Sequence, residues 1–392
     1  MKKKILVDLS YIHSENKLNE SVALYAFRFL RSLSEIERSS FVILLIPEME
    51  KLILSRIGDF RTMYFRDISR HLIKIPYLKG FLRKFNWVSQ IQKLDLTDIK
   101  VIYIPFCWSG NSGMVKIPKV ITIHDLRPMR EPNRALTGTV FFKMLGLGKI
   151  YLRTIRKYYT KHMKNASRVI AISEYVASDI KQEWAQYSDK VTTVYNSVAK
   201  SSVHPLEINS LDKIDFILYV NTLTEYKNIK TLVNAFALLK ENTSIELKLV
   251  IVGKETDYWS NIIAPLLIKR DISKDVVHIQ YAKKEELIWL YQNARMFVTP
   301  SIHEGFGYTP IEAALEGCPV ISSRCESLPD VTAEKVRYYD PPTSSDNLYK
   351  EIERELKYPT QRSKLESNSK YFADRYSLAT HKKKIINILN QL

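Results

Sequence analysis

The sequence predicts an α/β fold made of two doubly wound, Rossmann-like domains. Short apolar runs, which suit the buried strands of a parallel sheet, alternate with stretches of helical periodicity along the chain. With 392 residues, the chain is long enough for two domains of about 150–200 residues each. A polar segment without periodicity, residues 199–213, lies between the two alternating series. We therefore expect an N-terminal domain over 1–200, a second domain over 201–375 and a terminal helix over 376–392.

The first half contains six runs that predict strands and a helical pattern over 20–34. The runs are KILVDL (4–9), FVILLIP (41–47), VIYIP (101–105), KVITIHD (119–125), SRVIAIS (167–173) and KVTTVYN (190–196).

The second half repeats this alternation without repeating the sequence. Helical patterns cover 228–240 and 284–294, and a basic amphipathic pattern over 376–392 has Ser377 as its expected N-cap. The strand-like runs are DFILYVN (215–221), LKLVIVG (247–253), VVHIQY (276–281), MFVTP (296–300) and Pro319–Ile321.

The net charge lies entirely in the first half. Residues 1–200 hold 34 Lys and Arg against 17 Asp and Glu, whereas residues 201–392 hold 25 of each. Such asymmetry indicates an anionic partner for the first half, either nucleic acid or a membrane surface. Because the chain shows no nucleic-acid recognition motif beyond charge, we expect an anionic membrane and no nucleic acid.

Two segments interleave basic residues with aromatic and aliphatic ones, namely 70–87 and 141–164. Segments of this kind suit the interface of an anionic membrane. They equally suit helices that pack their apolar side on the domain and expose their charges to solvent. We favour the membrane for 70–87 and leave the alternative open.

The cysteines and the N-terminus indicate a reducing compartment. Cys107, Cys318 and Cys325 form no pair with metal-site spacing, and an odd number argues against a disulfide framework. The N-terminal apolar run is too short for a signal peptide, and no stretch is long enough for a transmembrane helix. We expect a cytoplasmic protein, peripheral at the inner face of the plasma membrane.

Residues 296–323 predict a strand–loop–helix–strand unit, and we expect its loop to form the active site. Glu304 lies in the loop and Glu312 follows eight residues later. Loops at the carboxyl ends of parallel strands are where open α/β sheets bind ligands. Glu312 has a structural alternative, since Thr309 as N-cap, Pro310 at the first helical position and Glu312 at the third would form a capping box.

The motif EGFGYTPIE (304–312) resembles the E-x7-E signature of the GT4-family glycosyltransferases, which have the GT-B fold. Further segments resemble the family in the same order along the chain. They are TIHDLRPM (122–129), AISEYVASDI (171–180), TVYNSV (193–198), YVNTLTEYKNI (219–229), IVGK (251–254), ELIWLYQNARMFVTPS (286–301) and ISSRCESLPDV (321–331). The resemblance implies retaining transfer of a hexose and a terminal helix that crosses back to the first domain.

The resemblance also implies roles for the donor site. Glu304 would bind hydroxyls of the donor sugar near the reacting carbon, Glu312 would bind ribose hydroxyls, and Lys227 would neutralise the diphosphate. Glu304, Lys227 and His124 are the implied catalytic residues. The implied donor-binding set is Asn221, Thr222, Lys227, Gly253, Lys254, Tyr281, Glu304, Gly305, Phe306, Gly307, Tyr308, Thr309 and Glu312.

On the acceptor side, the resemblance implies His124, Asp125 and Arg127, with His124 facing the sugar across the cleft. A purely structural His-Asp turn is the alternative for this pair. No D-x-D pair occurs in the chain, so we expect neither a metal nor another cofactor.

This chain departs from the family pattern in the phosphate-binding segments. Residues 10–19 lack the usual glycines, and Asn221 and Thr222 stand where the family often has Gly and Arg. Tyr226 likewise occupies a position that is often basic. Lys227 would therefore bind the phosphates with less help.

The expected activity is transfer of a mannose-, glucose- or rhamnose-like sugar from a nucleotide sugar to a glycan acceptor in bacterial surface polysaccharide synthesis. We expect this acceptor to be lipid-linked. A catalytically inactive nucleotide- or glycan-binding module of the same fold is the alternative. The presence of Glu304, Glu312 and Lys227 favours the enzyme, because a binding scaffold would not need all three.

Overall fold

A computed structural model of the chain describes residues 3–66, 89–107, 115–130 and 148–392. The chain divides into two compact units. The first comprises Met1–Ser197 together with Leu378–Leu392, and the second comprises Val198–Ser377. The predicted segment 70–87 lies outside the described residues.

The first unit is built on a parallel sheet of seven strands in the order β3-β2-β1-β4-β5-β6-β7. Central strands such as β2 and β5 are buried along their whole length, as their apolar sequences require. The strands are β1 Lys4–Asp8, β2 Phe41–Leu45, β3 Arg61–Tyr64, β4 Ile99–Ile104, β5 Lys119–Ile123, β6 Arg168–Ala171 and β7 Val191–Thr193.

Helices connect these strands and cover the sheet. In Ser21–Arg31 the buried side chains recur at helical spacing, and they include Tyr25 and Phe29. The α-helices are Ser21–Arg31, Glu35–Arg38, Glu50–Ile57, Arg127–Arg130, Gly148–Asn165, Glu174–Glu183 and Leu378–Asn390, and the 3-10 helices are Glu15–Asn19, Pro47–Met49 and Ala185–Lys190.

The C-terminal helix Leu378–Asn390 packs within the first unit. It buries His381, whose Nδ1 lies 2.8 Å from the carbonyl oxygen of Tyr195 and donates to it. Lys382 at its exposed side donates to Glu37 at 3.0 Å. The helix starts directly after Ser377.

The helix Gly148–Asn165 contains the whole described part of the predicted basic segment 141–164. Ile155, Tyr159 and Met163 are buried on one side of it. Five basic side chains are exposed on the other side, namely Arg153, Arg156, Lys157, Lys161 and Lys164. For this helix the structure supports apolar packing on the domain, with the charges in solvent.

The second unit is a six-stranded parallel sheet in the order β10-β9-β8-β11-β12-β13. The order reverses between β8 and β11, because the chain first adds strands on one side of β8 and then crosses to the other. The strands are β8 Phe216–Val220, β9 Lys248–Val252, β10 Val276–Ile279, β11 Met296–Thr299, β12 Val320–Ser323 and β13 Arg337–Tyr339.

The core of this unit lies between the sheet and helices such as Ile229–Asn242, whose Leu232 and Phe236 are fully buried. The α-helices are Ile229–Asn242, Ala264–Lys269, Lys284–Asn293, Tyr308–Leu315, Leu328–Val331, Ser345–Lys357 and Arg362–Arg375. Shorter turns are the 3-10 helices Asn209–Leu211, Glu225–Lys227 and Ser273–Asp275 and the π-helical turn Trp259–Ile263.

The two strands that the apolar pattern did not predict are both edge strands. Strand β3 has no fully buried residue and β13 has three residues. An edge strand is covered less than a central one, so its sequence need not be apolar. Within the described residues, no helix has both the length and the apolar character needed to span a membrane.

Glu355 provides a test of the packing in the second unit. It is 3% exposed, and its carboxylate accepts from the Arg337 guanidinium and from the Thr360 amide at 2.7 Å. Glu355→Ala leaves a half-buried guanidinium without its anion, so we expect the free energy of unfolding in urea to fall by about 3 kcal/mol.

The matched control is Glu366→Ala. Glu366 also pairs with an arginine, Arg362, at 2.9 Å, but both side chains are exposed. Water screens this pair, so its loss should leave the unfolding curve almost unchanged. Equal effects of the two substitutions would contradict the assigned importance of the Glu355 contacts.

His381 predicts an acid-sensitive first unit. Burial lowers the pKa of His381 to about 4, and the positive charges of Arg28 and Lys384 act in the same direction. The hydrogen bond to Tyr195 raises this pKa, but by less. In the unfolded chain a histidine has a pKa of about 6.5, so between this pH and about 4 the unfolded chain binds more protons than the folded protein. Stability from neutral His381 is present above pH 6.5 and is lost as the pH falls toward 4.

His381→Asn keeps a donor for the Tyr195 carbonyl but cannot titrate, so the melting temperature should fall less between pH 6.5 and 4.5 than in the wild type. The exposed His204→Asn is the control and should keep the wild-type pH dependence. Identical slopes for all three proteins would rule out His381 as a source of the acid sensitivity.

Candidate active site

The candidate site lies in the second unit, at the carboxyl ends of the neighbouring parallel strands β8 and β11. The strand order reverses between these two strands, so their following loops diverge and leave a crevice. The loop after β8 leads through the turn Glu225–Lys227, and the loop after β11 carries Glu304. These are the two segments that the sequence predicts to bind the donor.

The two loops meet in a direct ion pair. Lys227 Nζ lies 2.6 Å from Glu304 Oε1, and the two side chains are only 11% and 10% exposed. The Ser301 hydroxyl donates to the same oxygen at 2.9 Å. The second oxygen, Glu304 Oε2, accepts no hydrogen bond from any residue in the described part of the chain.

Asn228 fixes Lys227 in place. It adopts a left-handed conformation with φ of 56°, which ends the turn and starts the next helix at Ile229. Its side-chain amide donates to the carbonyls of Pro300 and Pro342 at 2.9 and 2.8 Å. Asn228 thereby ties the loops after β8, β11 and β13 together.

The main chain of Glu304 is held from the segment after β12. Its N–H donates to Glu326 Oε2 at 2.8 Å, and its carbonyl accepts from the Ser327 hydroxyl at 2.6 Å. His303 Nδ1 lies 2.9 Å from the other carboxylate oxygen of Glu326. This segment resembles the family as a whole, but the sequence does not single out Glu326, since no spacing rule relates it to Glu304.

The predicted capping box is wrong. The helix begins at Tyr308, with Gly307 as N-cap in a left-handed conformation of φ 85°, and no side chain caps it. Thr309 is therefore already helical and cannot occupy the cap position. Glu312 is the fifth helical residue and not the third, so it cannot complete a capping box either.

Gly307 is required by both its backbone and its surroundings. A Cβ atom there would come within 2.6 Å of Leu328 Cδ2. Gly305 and Phe306 precede it in the same loop, and the ring of Phe306 lies 5.1 Å from that of Tyr308. The half-buried Glu312 carboxylate lies near the Tyr291 hydroxyl, whose pKa is raised by burial and then by this charge.

The remaining predicted donor residues surround the ends of β8, β9 and β10. A Cβ at Gly253 would lie 2.2 Å from the Asn221 carbonyl, so the close approach of these loops needs glycine. Asn221 Oδ1 accepts from the Thr222 amide at 2.9 Å. Lys254 is exposed and Tyr281 is 79% exposed. No described hydrogen bond or ion pair joins either side chain to the Lys227–Glu304 pair.

His124, Asp125 and Arg127 lie in the first unit, after β5. The Nε2–H of His124 donates to the Pro105 carbonyl at 2.9 Å, and burial lowers the pKa of this imidazole. The neutral ring thus presents Nδ1 as an acceptor. Asp125 Oδ1 accepts from the Arg127 amide at 3.1 Å, as the structural alternative for the turn requires. Their acceptor-side role stays a prediction.

The ring of Tyr25 packs against the ring of His124. The two ring centroids are 5.0 Å apart in an edge-on arrangement, and the Tyr25 hydroxyl lies 3.0 Å from that of Tyr103. His381 packs against the same tyrosine ring at 5.2 Å. The partly buried His124 therefore packs against a buried, hydrogen-bonded pair of tyrosines.

In the part of the chain that the structure describes, no three His, Cys, Asp or Glu side chains are grouped so as to hold a metal ion. The cation in contact with the Glu304 carboxylate is Lys227.

Comparison with known proteins covers both units. Residues 206–372 match the family model described as glycosyl transferases group 1, and residues 41–201 match that of glycosyltransferase family 4. The O-antigen chain mannosyltransferase RfbU of Salmonella typhimurium is 27% identical over 334 residues, which are 81% of this chain and 82% of the relative.

Solved structures share the fold along the whole chain. Sucrose-phosphate synthase from Thermosynechococcus elongatus has a TM-score of 0.72 at 18% identity, with 100% of this chain and 99% of that chain covered. HepE from Anabaena, in complex with UDP and glucose, has a TM-score of 0.69 at 16% identity, with 100% of both chains covered.

The two matched ranges lie one in each half of the chain, and both models describe glycosyltransferases. With two such parallel sheets and this pair of family matches, the chain belongs to the group 1, family 4 glycosyltransferases of the GT-B fold.

Proposed function

We propose that this glycosyltransferase moves a hexose from a nucleotide sugar to a glycan acceptor in bacterial surface polysaccharide synthesis, with retention of anomeric configuration. The Lys227–Glu304 pair at the crevice carries this proposal, because it places a cation and a carboxylate where a nucleotide sugar presents its diphosphate and its hydroxyls. The relatedness to an O-antigen mannosyltransferase supports a hexose and a glycan acceptor.

Lys227 has the capacity to bind the leaving group. Its ammonium carries three N–H donors, of which one is directed to Glu304 Oε1. Two donors are left for diphosphate oxygens. Negative charge builds on the diphosphate as the sugar leaves, so a fixed cation stabilises the transition state more than the ground state. The positive end of the helix that starts at Tyr308 adds to this field.

The carboxylates would select the sugar and the ribose. Glu304 Oε2 is available to accept from sugar hydroxyls, while Lys227 and Ser301 hold Oε1. Glu312 would accept from the ribose hydroxyls. We propose that Gly253, Lys254 and Tyr281 lie against the base and its phosphates.

We propose that transfer needs no metal. The chain lacks a D-x-D pair, and Lys227 with the helix N-terminus supplies positive charge for the diphosphate. On the acceptor side we propose His124, whose Nδ1 can accept a hydrogen bond from a hydroxyl.

The acceptor is proposed to be lipid-linked, with the enzyme working at the inner face of the plasma membrane. The exposed basic side of Gly148–Asn165 supports this, since lysine and arginine near an anionic surface contribute about 1 kcal/mol each. Arg156 contributes less, because it pairs with Glu183 at 2.7 Å.

Two substitutions separate donor binding from chemistry. Lys227→Met should weaken the affinity for a nucleoside diphosphate by roughly 10- to 100-fold, because charged hydrogen bonds are lost. Glu304→Gln keeps the size of the side chain and one oxygen to accept from Lys227 and Ser301, so it should retain that affinity while lowering kcat by roughly 100-fold or more. Calorimetry with UDP and GDP and transfer from UDP-, GDP- and dTDP-hexoses measure both effects, and NMR of the product reads its anomeric configuration.

Lys240→Met is the control. Lys240 lies in the helix that follows Lys227 but pairs with Asp275 at 3.4 Å, and it should bind and transfer like the wild type. Undiminished turnover of nucleotide sugar by Glu304→Gln would refute the assignment of Glu304.

Membrane binding is testable through the basic helix. Reversing two exposed charges, Lys157→Glu with Lys161→Glu, should reduce co-sedimentation with vesicles of 30% phosphatidylglycerol several-fold, and added salt should weaken the wild type likewise. The control reverses two exposed lysines of the second unit, Lys357 and Lys364. If vesicle binding changes neither with added salt nor with the substitutions at Lys157 and Lys161, this helix is not the membrane-binding surface.

A further inference from the structure

Glu326 holds the loop that carries Glu304 through both of its carboxylate oxygens. Oε2 accepts from the Glu304 amide at 2.8 Å, and Oε1 lies 2.9 Å from His303 Nδ1. The next residue, Ser327, donates its hydroxyl to the Glu304 carbonyl at 2.6 Å. Two consecutive residues therefore take both main-chain polar groups of Glu304.

The backbone of Glu326 is unfavourable for a glutamate. Its φ of 42° lies in the left-handed region, where any Cβ atom is crowded by the carbonyl oxygen. Glycine would adopt this conformation without strain. Because the chain carries a glutamate here, the contacts of its side chain must compensate for a conformational cost that glycine would avoid.

The charge of Glu326 adds a second cost. Its carboxylate is largely buried, at 16% exposure, and binds the main chain of Glu304, whose own carboxylate is 10% exposed. Two like charges near the expected site of a diphosphate disfavour anion binding. Attraction of the anionic donor therefore does not account for a glutamate at position 326, whereas anchoring of the Glu304 loop does.

The geometry of Glu304 is fixed from three directions. Glu326 and Ser327 hold its main chain, and Lys227 with Ser301 holds Oε1 of its side chain. Only Oε2 is left to meet a ligand. A shift of about 1 Å in a positioned group can cost roughly 100-fold in rate, so the anchoring of this loop bears directly on turnover.

We propose that Glu326 is a positioning residue that sets the Glu304 carboxylate against the hydroxyls of the donor sugar. The inference rests on the proposed role of Glu304 in donor binding. Glu326 itself acts through the Glu304 amide and does not touch the donor.

Glu326→Gly tests this by separating strain from contact. Glycine removes the carboxylate and relieves the left-handed backbone, so the melting temperature should stay the same or rise. The kcat should nevertheless fall roughly 10- to 100-fold, because the loop loses its anchor. Glu326→Gln keeps an acceptor for the Glu304 amide and should recover much of that loss.

The control is Glu334→Gly. Glu334 also has a left-handed backbone, with φ of 54°, and also binds a partner, Arg324, at 2.7 Å on the surface. The substitution relieves the same kind of strain away from the Glu304 loop. It should therefore leave kcat unchanged.

A binding ratio distinguishes positioning from general stability. The wild type is first tested for turnover of GDP-mannose, UDP-glucose and dTDP-rhamnose. For the donor that it turns over, the binding affinity is then compared with that of the free nucleoside diphosphate. In Glu326→Gly and in Glu304→Gln the preference for the sugar nucleotide over the diphosphate should shrink by a similar factor, and the double variant should add little to either.

The outcomes separate the two claims. If the wild type neither binds nor turns over any of the three donors, the proposed function itself fails. If the wild type is active and Glu326→Gly keeps its kcat and its binding ratio, the inference about Glu326 alone is overturned. A lower melting temperature with an unchanged ratio overturns it as well, because the role is then only structural.

Discussion

The contact between Lys227 and Glu304 is the interaction on which the site depends. Its partners come from the loops after β8 and β11, at the point where the strand order reverses. Both side chains are nearly buried, so both have lost most of their hydration. A buried ion pair of this kind is often no more stable than two apolar side chains of the same volume. Stability therefore does not account for it, whereas a requirement for charge at the crevice does.

The loops around this pair are anchored, because specific side chains form hydrogen bonds to their main-chain polar groups. Asn228 binds two carbonyls from other loops, and Ser327 binds the carbonyl of Glu304. Gly253 and Gly307 permit backbone approaches that any Cβ would block. Such anchoring holds the carboxylate and the ammonium at one separation before a ligand arrives. Preorganisation of this type lowers the reorganisation needed during reaction.

The first unit contributes a different kind of chemistry. His124 is embedded in a buried aromatic and hydroxyl network with Tyr25 and Tyr103, which keeps the imidazole neutral and directs one nitrogen to a carbonyl. The positive charge of this unit lies on its surface instead, as on the exposed side of Gly148–Asn165. The charge that dominates the composition and the His124 network are therefore separate features of the unit.

Much of the fold was predictable from local patterns. Apolar runs located the buried strands, because a strand covered on both faces must be apolar throughout. The edge strands β3 and β13 escaped this rule, since they are less covered. The start of the helix after the Glu304 loop was misplaced by two residues, because the pattern Thr309-Pro310 suggested a cap at Thr309 whereas the cap is Gly307.

By itself, the sequence determined two α/β domains and the resemblance to family 4 glycosyltransferases, and it singled out Lys227 and Glu304 as candidate site residues. Only the tertiary structure decided that these two side chains touch, that Glu312 is no capping residue, and that Glu326 binds the Glu304 amide. The physical reason is separation along the chain. Lys227 and Glu304 are 77 residues apart, and Glu304 and Glu326 are 22 apart. Local propensity does not specify such contacts, which form only when the parallel strands bring their carboxyl ends to one edge of the sheet.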